Sequence, residues 1–118
     1  MADVYGRPVG TDLVNWPTTY ADLEPYYTRV EHDLGVSGTA GALHDRTPRS
    51  KPLPMRALPD DLVLWRLTQA AERRGWPVGP ISFAINSVTR HGRRACIACG
   101  QCIGHACPVD AKNGTHNT

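Results

Sequence analysis

Four cysteines grouped near the C-terminal end constrain this 118-residue chain more than any other feature. They are Cys96, Cys99, Cys102 and Cys107, separated by two, two and four residues, and the last is followed by Pro108. Thiolates at this spacing can converge on one centre from a single tight loop, as a soft metal ion or an iron–sulfur cluster requires. The run therefore predicts a metal site with these four cysteines as ligands.

A disulfide framework and a zinc site fit the cysteine run less well than a cluster does. A secreted disulfide scaffold spreads its cysteines along the chain, whereas here none precedes position 96 and no signal peptide is visible. Zinc sites usually use two CxxC pairs separated by a longer loop. The run is closer to the ferredoxin pattern C-x2-C-x2-C-x3-C-P, with one extra residue that lets His105 compete as a ligand. The spacing favours an iron–sulfur cluster and leaves zinc open.

The composition favours irregular backbone around a modest core. The chain has 11 glycines, 10 prolines and a single phenylalanine. A net charge of +2 is too small to argue for nucleic-acid or membrane binding. No apolar run approaches the roughly 20 residues of a spanning helix. We therefore expect a soluble segment with no nucleic-acid partner and no membrane span, with a cytoplasmic location only as a default.

A first helix is predicted after Thr19. Thr19 and Asp22 resemble a capping box, with Asp in place of the usual Glu or Gln, and Gly35 is a natural stop. Apolar residues recur at helical spacing between them and predict one apolar face. Its members are Leu23, Tyr26 or Tyr27, Val30 and Leu34. We expect the tyrosines to fill a core or an interface.

A second helix is predicted from Pro59-Asp60-Asp61 to Gly75, with Arg73 and Arg74 in its last turn as partners of the helix dipole. Its expected buried stripe is Leu62, Leu64 or Trp65, Leu67, Ala70 and Ala71. The residues from Val78 to Val88 predict a short strand, limited by Pro80 and Asn86.

The predicted fold is α+β, a loop-rich segment with two main helices and little strand. It divides into a helix-bearing segment (1–38), a Pro/Gly-rich loop (39–58), the second helix with a short extended segment (59–88) and a cysteine-rich loop (89–118). The stretch from Val36 to Pro59 is long for a loop in a small independent domain, which indicates that the chain is part of something larger.

Several short motifs, in order along most of the chain, resemble a segment of bacterial glucose–methanol–choline (GMC) oxidoreductases. They are Asn15-Trp16-Pro17, the stretch from Tyr20 to Tyr27, Val30-Glu31, Leu34 to Gly38, Pro48-Arg49-Ser50, Pro52 to Met55, Gly75-Trp76, Ala84 to Ser87, the cysteine run into Pro108, and Ala111 to Thr115.

The resemblance implies a fragment of a larger two-domain, FAD-binding enzyme that oxidises CH–OH groups of alcohols, sugars or polyols by hydride transfer to the flavin. Residues 1–38 would belong to its substrate or cap region. Some dehydrogenases of this kind carry an iron–sulfur cluster that relays electrons from the flavin to an acceptor subunit, which implies the same role for the four cysteines.

The catalytic and flavin-binding residues of such an enzyme are not found in this sequence. No G-x-G-x-x-G follows a predicted strand. No motif links the five histidines, at 32, 44, 91, 105 and 116, to the family's catalytic histidine. We assign no catalytic or cofactor-binding residue, and we expect the isolated chain to lack flavin and turnover.

Two alternatives stay open: a stand-alone iron–sulfur or zinc module acting in electron transfer or protein contact, and a non-functional gene fragment. Arg90, Arg93 and Arg94 precede the first cysteine. They would either stabilise a negative thiolate cluster or form a solvated basic turn.

Overall fold

The computed structural model describes residues 2–41 and 48–114. Helix α1 is Ala2–Tyr5, α2 is Tyr20–Leu34 and α3 is Leu62–Glu72. The other described residues form loops and turns, joined by isolated β-bridges instead of strands. The expectation of a loop-rich segment with two main helices is confirmed. The short helix α1 was not predicted.

The capping signals place α2 as the sequence predicts. The Thr19 hydroxyl accepts a hydrogen bond from the Asp22 N–H, and the Asp22 carboxylate accepts one from the Thr19 N–H at 2.8 Å. Gly35 ends the helix with φ +74°, and its N–H and that of Val36 both donate to the Glu31 carbonyl. Glycine adopts this left-handed conformation at the lowest conformational cost of any residue.

Helix α3 also begins and ends close to the predicted residues. Asp61 is its N-cap and accepts from the Leu64 N–H at 2.7 Å. Gly75 has φ +70°, and the pair of bonds from Gly75 to the Glu72 carbonyl and from Trp76 to the Ala71 carbonyl is a Schellman ending. Arg73 and Arg74 therefore lie just beyond the last helical residue.

The buried stripe predicted for α3 is wrong, and the apolar face predicted for α2 is only partly covered, since Leu23 and Leu34 are half-buried. Leu67 of α3 is 62 % exposed and no residue of α3 is buried. Tyr26 and Val30 of α2 are 68 % and 51 % exposed, so within the described residues the tyrosines fill no core. Spacing reports that a helix is amphipathic, but it does not supply the partner that covers the apolar face.

Very little core forms in the part of the chain that the structure describes. Met55 and Ala111 are its only buried hydrophobic residues. The radius of gyration is 18.1 Å, against roughly 13.5 Å for a compact domain of this length. The three helices do not pack extensively on one another within the described ranges. Loop-to-loop backbone hydrogen bonds hold the fold instead.

Ser37 lies where three loops meet. It exchanges backbone hydrogen bonds with Phe83 at 2.8 and 2.9 Å, and the neighbouring Gly38 donates to the Met55 carbonyl at 3.1 Å. Ser37 is 1 % exposed. A Cβ on Gly38 would stand 2.5 Å from the Ser82 Oγ and 2.8 Å from the Leu53 Cδ1, so both side chains would have to move to admit an alanine.

The strand predicted from Val78 to Val88 does not form. This segment makes one bridge through Phe83 to Ser37 and another through Ile85 to Lys112. Each of these bridges is isolated, with no adjacent bridge to extend it into a ladder. The segment nevertheless lies between the first loop and the cysteine loop and is bonded to both.

None of the helices in the described ranges is long and apolar enough to cross a membrane.

Candidate functional site

The four cysteines lie on one irregular loop and none is in a disulfide. Cys96 and Cys107, at its two ends, are half-buried, whereas Cys99 and Cys102, at its middle, are exposed. Between Cys96 and Cys107 the loop turns through three residues with positive φ, Ala98 (+53°), Gly100 (+73°) and Gly104 (+77°), and Asp110 (+53°) follows it. Repeated left-handed residues keep the loop short and tightly folded.

The structure does not gather the sulfurs at one point. Across residues 2–41 and 48–114, no three His, Cys, Asp or Glu side chains form a group that could hold a metal ion. His105 is exposed on the same loop and joins no such group. The metal site at the four cysteines therefore stays a prediction.

The chemistry of the donor set suits a thiolate-bound group. The Ala98 N–H donates to the Cys96 Sγ at 3.3 Å, and the Ala111 N–H donates to the Cys107 Sγ at 3.2 Å. At Cys107 such N–H groups favour the thiolate over the thiol.

The pKa of the Cys107 thiol lies below its ordinary value. Burial raises this pKa, but backbone N–H groups that bond the sulfur lower it by more in total. They belong to Val109, Ala111, Lys112 and Asp110.

Both ends of the loop are tied to the segment that the sequence predicted to be a strand. The Asn86 carbonyl accepts from the Cys96 N–H at 2.7 Å, and the Asn86 N–H donates to the Ala111 carbonyl at 2.8 Å. The Asn113 N–H adds a bond to the Ala84 carbonyl at 2.8 Å. One residue, Asn86, thus bonds the chain where it enters the loop and where it leaves.

Arg90 and Arg93 flank a two-residue turn before the first cysteine. Their backbones exchange hydrogen bonds at 3.0 Å, and His91 and Gly92 between them have φ +50° and +75°, as in a type I′ turn. The Arg90 side chain donates to the His32 carbonyl at 2.6 Å, and Arg93 donates to the Lys112 carbonyl at 3.3 Å and to the Asn113 Oδ1.

These contacts give Arg90 and Arg93 a structural use that the sequence did not predict, because both bind oxygen atoms of distant segments. Arg94 is exposed. It lines a shallow polar depression of about 340 Å³ together with Cys107 and Asp110. Arg93 also lines this depression, so Arg93 and Arg94 both lie beside Cys107.

The histidines stay without a shared role. His32 Nε2 lies 3.0 Å from the Pro52 carbonyl, His91 is in the type I′ turn, and His44 and His116 lie outside the described residues.

A second concave surface was not predicted from the sequence. It is an apolar groove of about 930 Å³ between α3 and the segments that precede and follow it, residues 57–60 and 74–81. Residues on its walls include Leu58, Leu67, Ala71, Trp76, Val78 and Ile81. The Arg74 guanidinium lies 5.7 Å from the centroid of the Trp76 ring at its edge. The signal was the apolar stripe of α3, which the spacing alone assigned to a core.

The chain is similar in sequence to several oxidoreductases. It is 37 % identical over 115 residues to the 6'''-hydroxyparomomycin C oxidase of Streptomyces lividus, a match covering 91 % of this chain and 20 % of that enzyme. It is 32 % identical over 110 residues to the fructose dehydrogenase large subunit of Gluconobacter japonicus, covering 92 % of this chain and 20 % of that subunit.

A third relative is the 2-methyl-1,2-propanediol dehydrogenase of Mycolicibacterium austroafricanum, 35 % identical over 89 residues, covering 74 % of this chain and 16 % of that enzyme. The chain matches no protein-family model. It spans about a fifth of the length of these relatives. These matches define the class of protein: the chain is homologous to a segment of oxidoreductases, one of which is named as an oxidase and two as dehydrogenases.

Proposed function

We propose that this chain is a segment of a GMC-type, FAD-dependent oxidoreductase that acts on CH–OH groups of alcohols, sugars or polyols. The observation that carries the proposal is the similarity of 91 % of the chain, at 37 % identity, to an enzyme named as a 6'''-hydroxyparomomycin C oxidase. Relatives named for a sugar and for a diol, matching over most of the chain, support the same class of substrate.

Residues 2–41 and 48–114, which the structure describes, do not fit a flavin site of their own. A pyrophosphate is bound by free N–H groups at a helix N-terminus, next to glycines. The two long helices instead begin with carboxylates, because Asp22 is bonded to the Thr19 N-cap and Asp61 is itself the N-cap. These carboxylates occupy the positive ends of both helices and would repel a phosphate. FAD would therefore be bound by other parts of the enzyme.

The cysteine loop is the part of the chain with chemistry of its own. We propose that Cys96, Cys99, Cys102 and Cys107 hold an iron–sulfur cluster, supported by four unpaired thiols on one loop and by N–H groups donating to Cys96 and Cys107. When bound, such a cluster would carry electrons between the flavin and an acceptor. That one relative is named as a large subunit supports an electron-acceptor subunit as a partner.

A stand-alone iron–sulfur or zinc module is the second candidate. It is favoured by the observation that residues of this chain, chiefly Asn86, tie both ends of the cysteine loop. A module of this kind would need no flavin.

The transcript that contains these 118 codons tests the enzyme proposal. We expect the same reading frame to encode a G-x-G-x-x-G turn upstream and a histidine-containing catalytic region downstream. Stop codons immediately on both sides of the segment, in an otherwise intact gene, would refute the enzyme proposal and favour the module.

Flavin binding by the 118-residue chain is an independent check. We expect gel filtration with FAD to leave the flavin unbound, because the described residues offer no phosphate cradle at either long helix. A stoichiometric FAD complex would contradict the assignment of the flavin site to other parts of the enzyme.

A further inference from the structure

Asn113 joins more of the fold than any other polar side chain near the cysteine loop. Its Nδ2 donates to the Gly35 carbonyl at 2.9 Å and to the Asn86 Oδ1 at 3.0 Å, and its Oδ1 accepts from Arg93. Gly35 ends helix α2 and Arg93 precedes the loop. Asn113 follows the loop, so one amide connects the chain before the loop, the chain after it and the helix beside it.

The direction of this amide is fixed by its neighbours. A guanidinium can only donate and a backbone carbonyl can only accept, so the Oδ1 must face Arg93 and the Nδ2 must face Gly35. Both Nδ2 hydrogens and the Oδ1 are then in use. No rotated amide of Asn113 would satisfy the same partners.

Asn86 completes the arrangement from a fully buried position. It is 0 % exposed, and its Nδ2 has no hydrogen-bond partner among the described residues. A buried polar atom without a partner costs free energy, and an apolar residue such as leucine at this position would avoid that cost. The side chain contributes its Oδ1 to Asn113, while its backbone bonds Cys96 and Ala111.

We infer that Asn113 and Asn86 form a clamp that closes the cysteine loop before any metal is bound and positions its two end ligands, Cys96 and Cys107. The clamp leaves Cys99 and Cys102 exposed at the middle of the loop. Metal loading would then need to draw in only the middle of the loop, which lowers the ordering cost of binding. The role of the loop in binding a metal rests on the proposed function. The closure of the metal-free loop by the clamp does not depend on that proposal.

Alkylation of the metal-free, reduced 118-residue chain tests the clamp. Iodoacetamide labelling followed by peptide mass spectrometry gives a rate for each cysteine. With all four rates measured at a pH where every thiol is ionised, so that the lowered pKa of Cys107 does not affect the comparison, we expect Cys96 and Cys107 to react more slowly than Cys99 and Cys102 in the unsubstituted chain. In Asn113→Ala, we expect the two slow rates to rise roughly 10-fold, because hydrogen bonds to partly buried partners are lost and the closed loop opens more often.

A second variant identifies which half of the amide matters. Asn113→Asp keeps an acceptor for Arg93 but places an oxygen against the Gly35 carbonyl and the Asn86 Oδ1. We expect it to behave like Asn113→Ala. Rates equal to those of the unsubstituted chain would refute the contribution of the two N–H donors.

Two control variants separate the clamp from general loss of stability. Asn15→Ala makes the same substitution at an exposed asparagine bonded to Asp3, and Glu31→Gln weakens an ion pair of α2 with Arg49. Neither touches the loop, and we expect neither to change the slow rates by more than about twofold, because local opening precedes global unfolding.

Each outcome decides between the proposals. Four equal rates in the unsubstituted chain, or controls that match Asn113→Ala, would overturn the clamp. A third outcome is that Cys96 and Cys107 react slowly, that Asn113→Ala raises both rates, and that the chain takes up no iron and sulfide. This outcome would establish the clamp and refute the cluster. A chain that loads a cluster equally well with and without Asn113, with unchanged rates, would refute the clamp alone. Loading that falls in Asn113→Ala together with the faster rates supports both.

Discussion

The ion pair between Glu31 and Arg49 is bidentate and mostly buried, so we expect its removal to give a measurable loss of stability. The Arg49 Nη2 lies 2.8 Å from the Glu31 Oε1, and its Nε lies 2.9 Å from the Oε2, so the guanidinium is held by both carboxylate oxygens. The side chains are 13 % and 21 % exposed, so solvent screens the pair only partly. The pair ties α2 to the loop at residue 49.

Glu31→Gln removes the charge and leaves the shape. Hydrogen bonds to charged groups contribute about 1.5–3 kcal/mol each when one partner is lost from a protected site. A bidentate pair that keeps one weakened bond should therefore lose about 2 kcal/mol of unfolding free energy. For a chain of this length, that corresponds to a fall of roughly 8 °C in Tm.

Asp33→Asn is a matched control two residues away on the same helix. Asp33 pairs with Arg29 at 3.5 Å, with side chains 64 % and 79 % exposed. An exposed i,i+4 pair is worth about 0.3–0.5 kcal/mol. Urea unfolding followed by circular dichroism measures both variants. If Glu31→Gln loses less than about 0.5 kcal/mol of unfolding free energy, or no more than Asp33→Asn, the claim that burial strengthens the Glu31–Arg49 pair is refuted.

Three further predictions concern other parts of the chain. Gly38→Ala should destabilise by about 1–3 kcal/mol in the same unfolding assay, because its Cβ would meet Ser82 at 2.5 Å; an unchanged midpoint would contradict the packing at this junction. The backbone N–H of Ser50 and other hydrogen bonds hold the pKa of Glu24 below its ordinary value of 4.5. Stability should therefore fall as the pH drops below about 4.5 and through the lower folded pKa, and a Glu24→Gln variant should lose less over this range in acid titration. Leu67→Gln should change the unfolding free energy of the 118-residue chain by less than about 0.5 kcal/mol, because the side chain is 62 % exposed; a large loss would show a core that the described residues lack.

The helices could be read from the sequence because their signals are local. Thr19, Asp22 and Gly35 act on backbone groups within one turn, so capping chemistry fixes where α2 begins and ends without any tertiary partner. Asp61 and Gly75 do the same for α3.

The burial of the helix faces could not be read in this way. The stripe of α3 is amphipathic whether or not another surface covers it, and spacing carries no information about that surface. The prediction of a strand at 78–88 was wrong for a related reason. Pairing depends on neighbours distant in sequence, and here Ser37 and Lys112 each offer a single bridge.

The sequence predicts four candidate ligands, which stay a prediction, and it does not indicate the residues that support their loop. Cysteine spacing is visible in the sequence, so Cys96 and Cys107 could be named from it. Asn86 and Asn113 lie in two of the motifs that carry the family resemblance, but nothing in those motifs indicates that the two side chains bond to each other or to Arg93. Their roles follow from hydrogen bonds that only the fold brings together.

Anaerobic reconstitution of the 118-residue chain with iron and sulfide tests the central claim most directly, that the four cysteines hold an iron–sulfur cluster. We expect a brown protein with broad visible absorbance, and loss of that colour when Cys96 or Cys107 is replaced by serine. A colourless protein that binds one zinc ion per chain under the same conditions would contradict the claim.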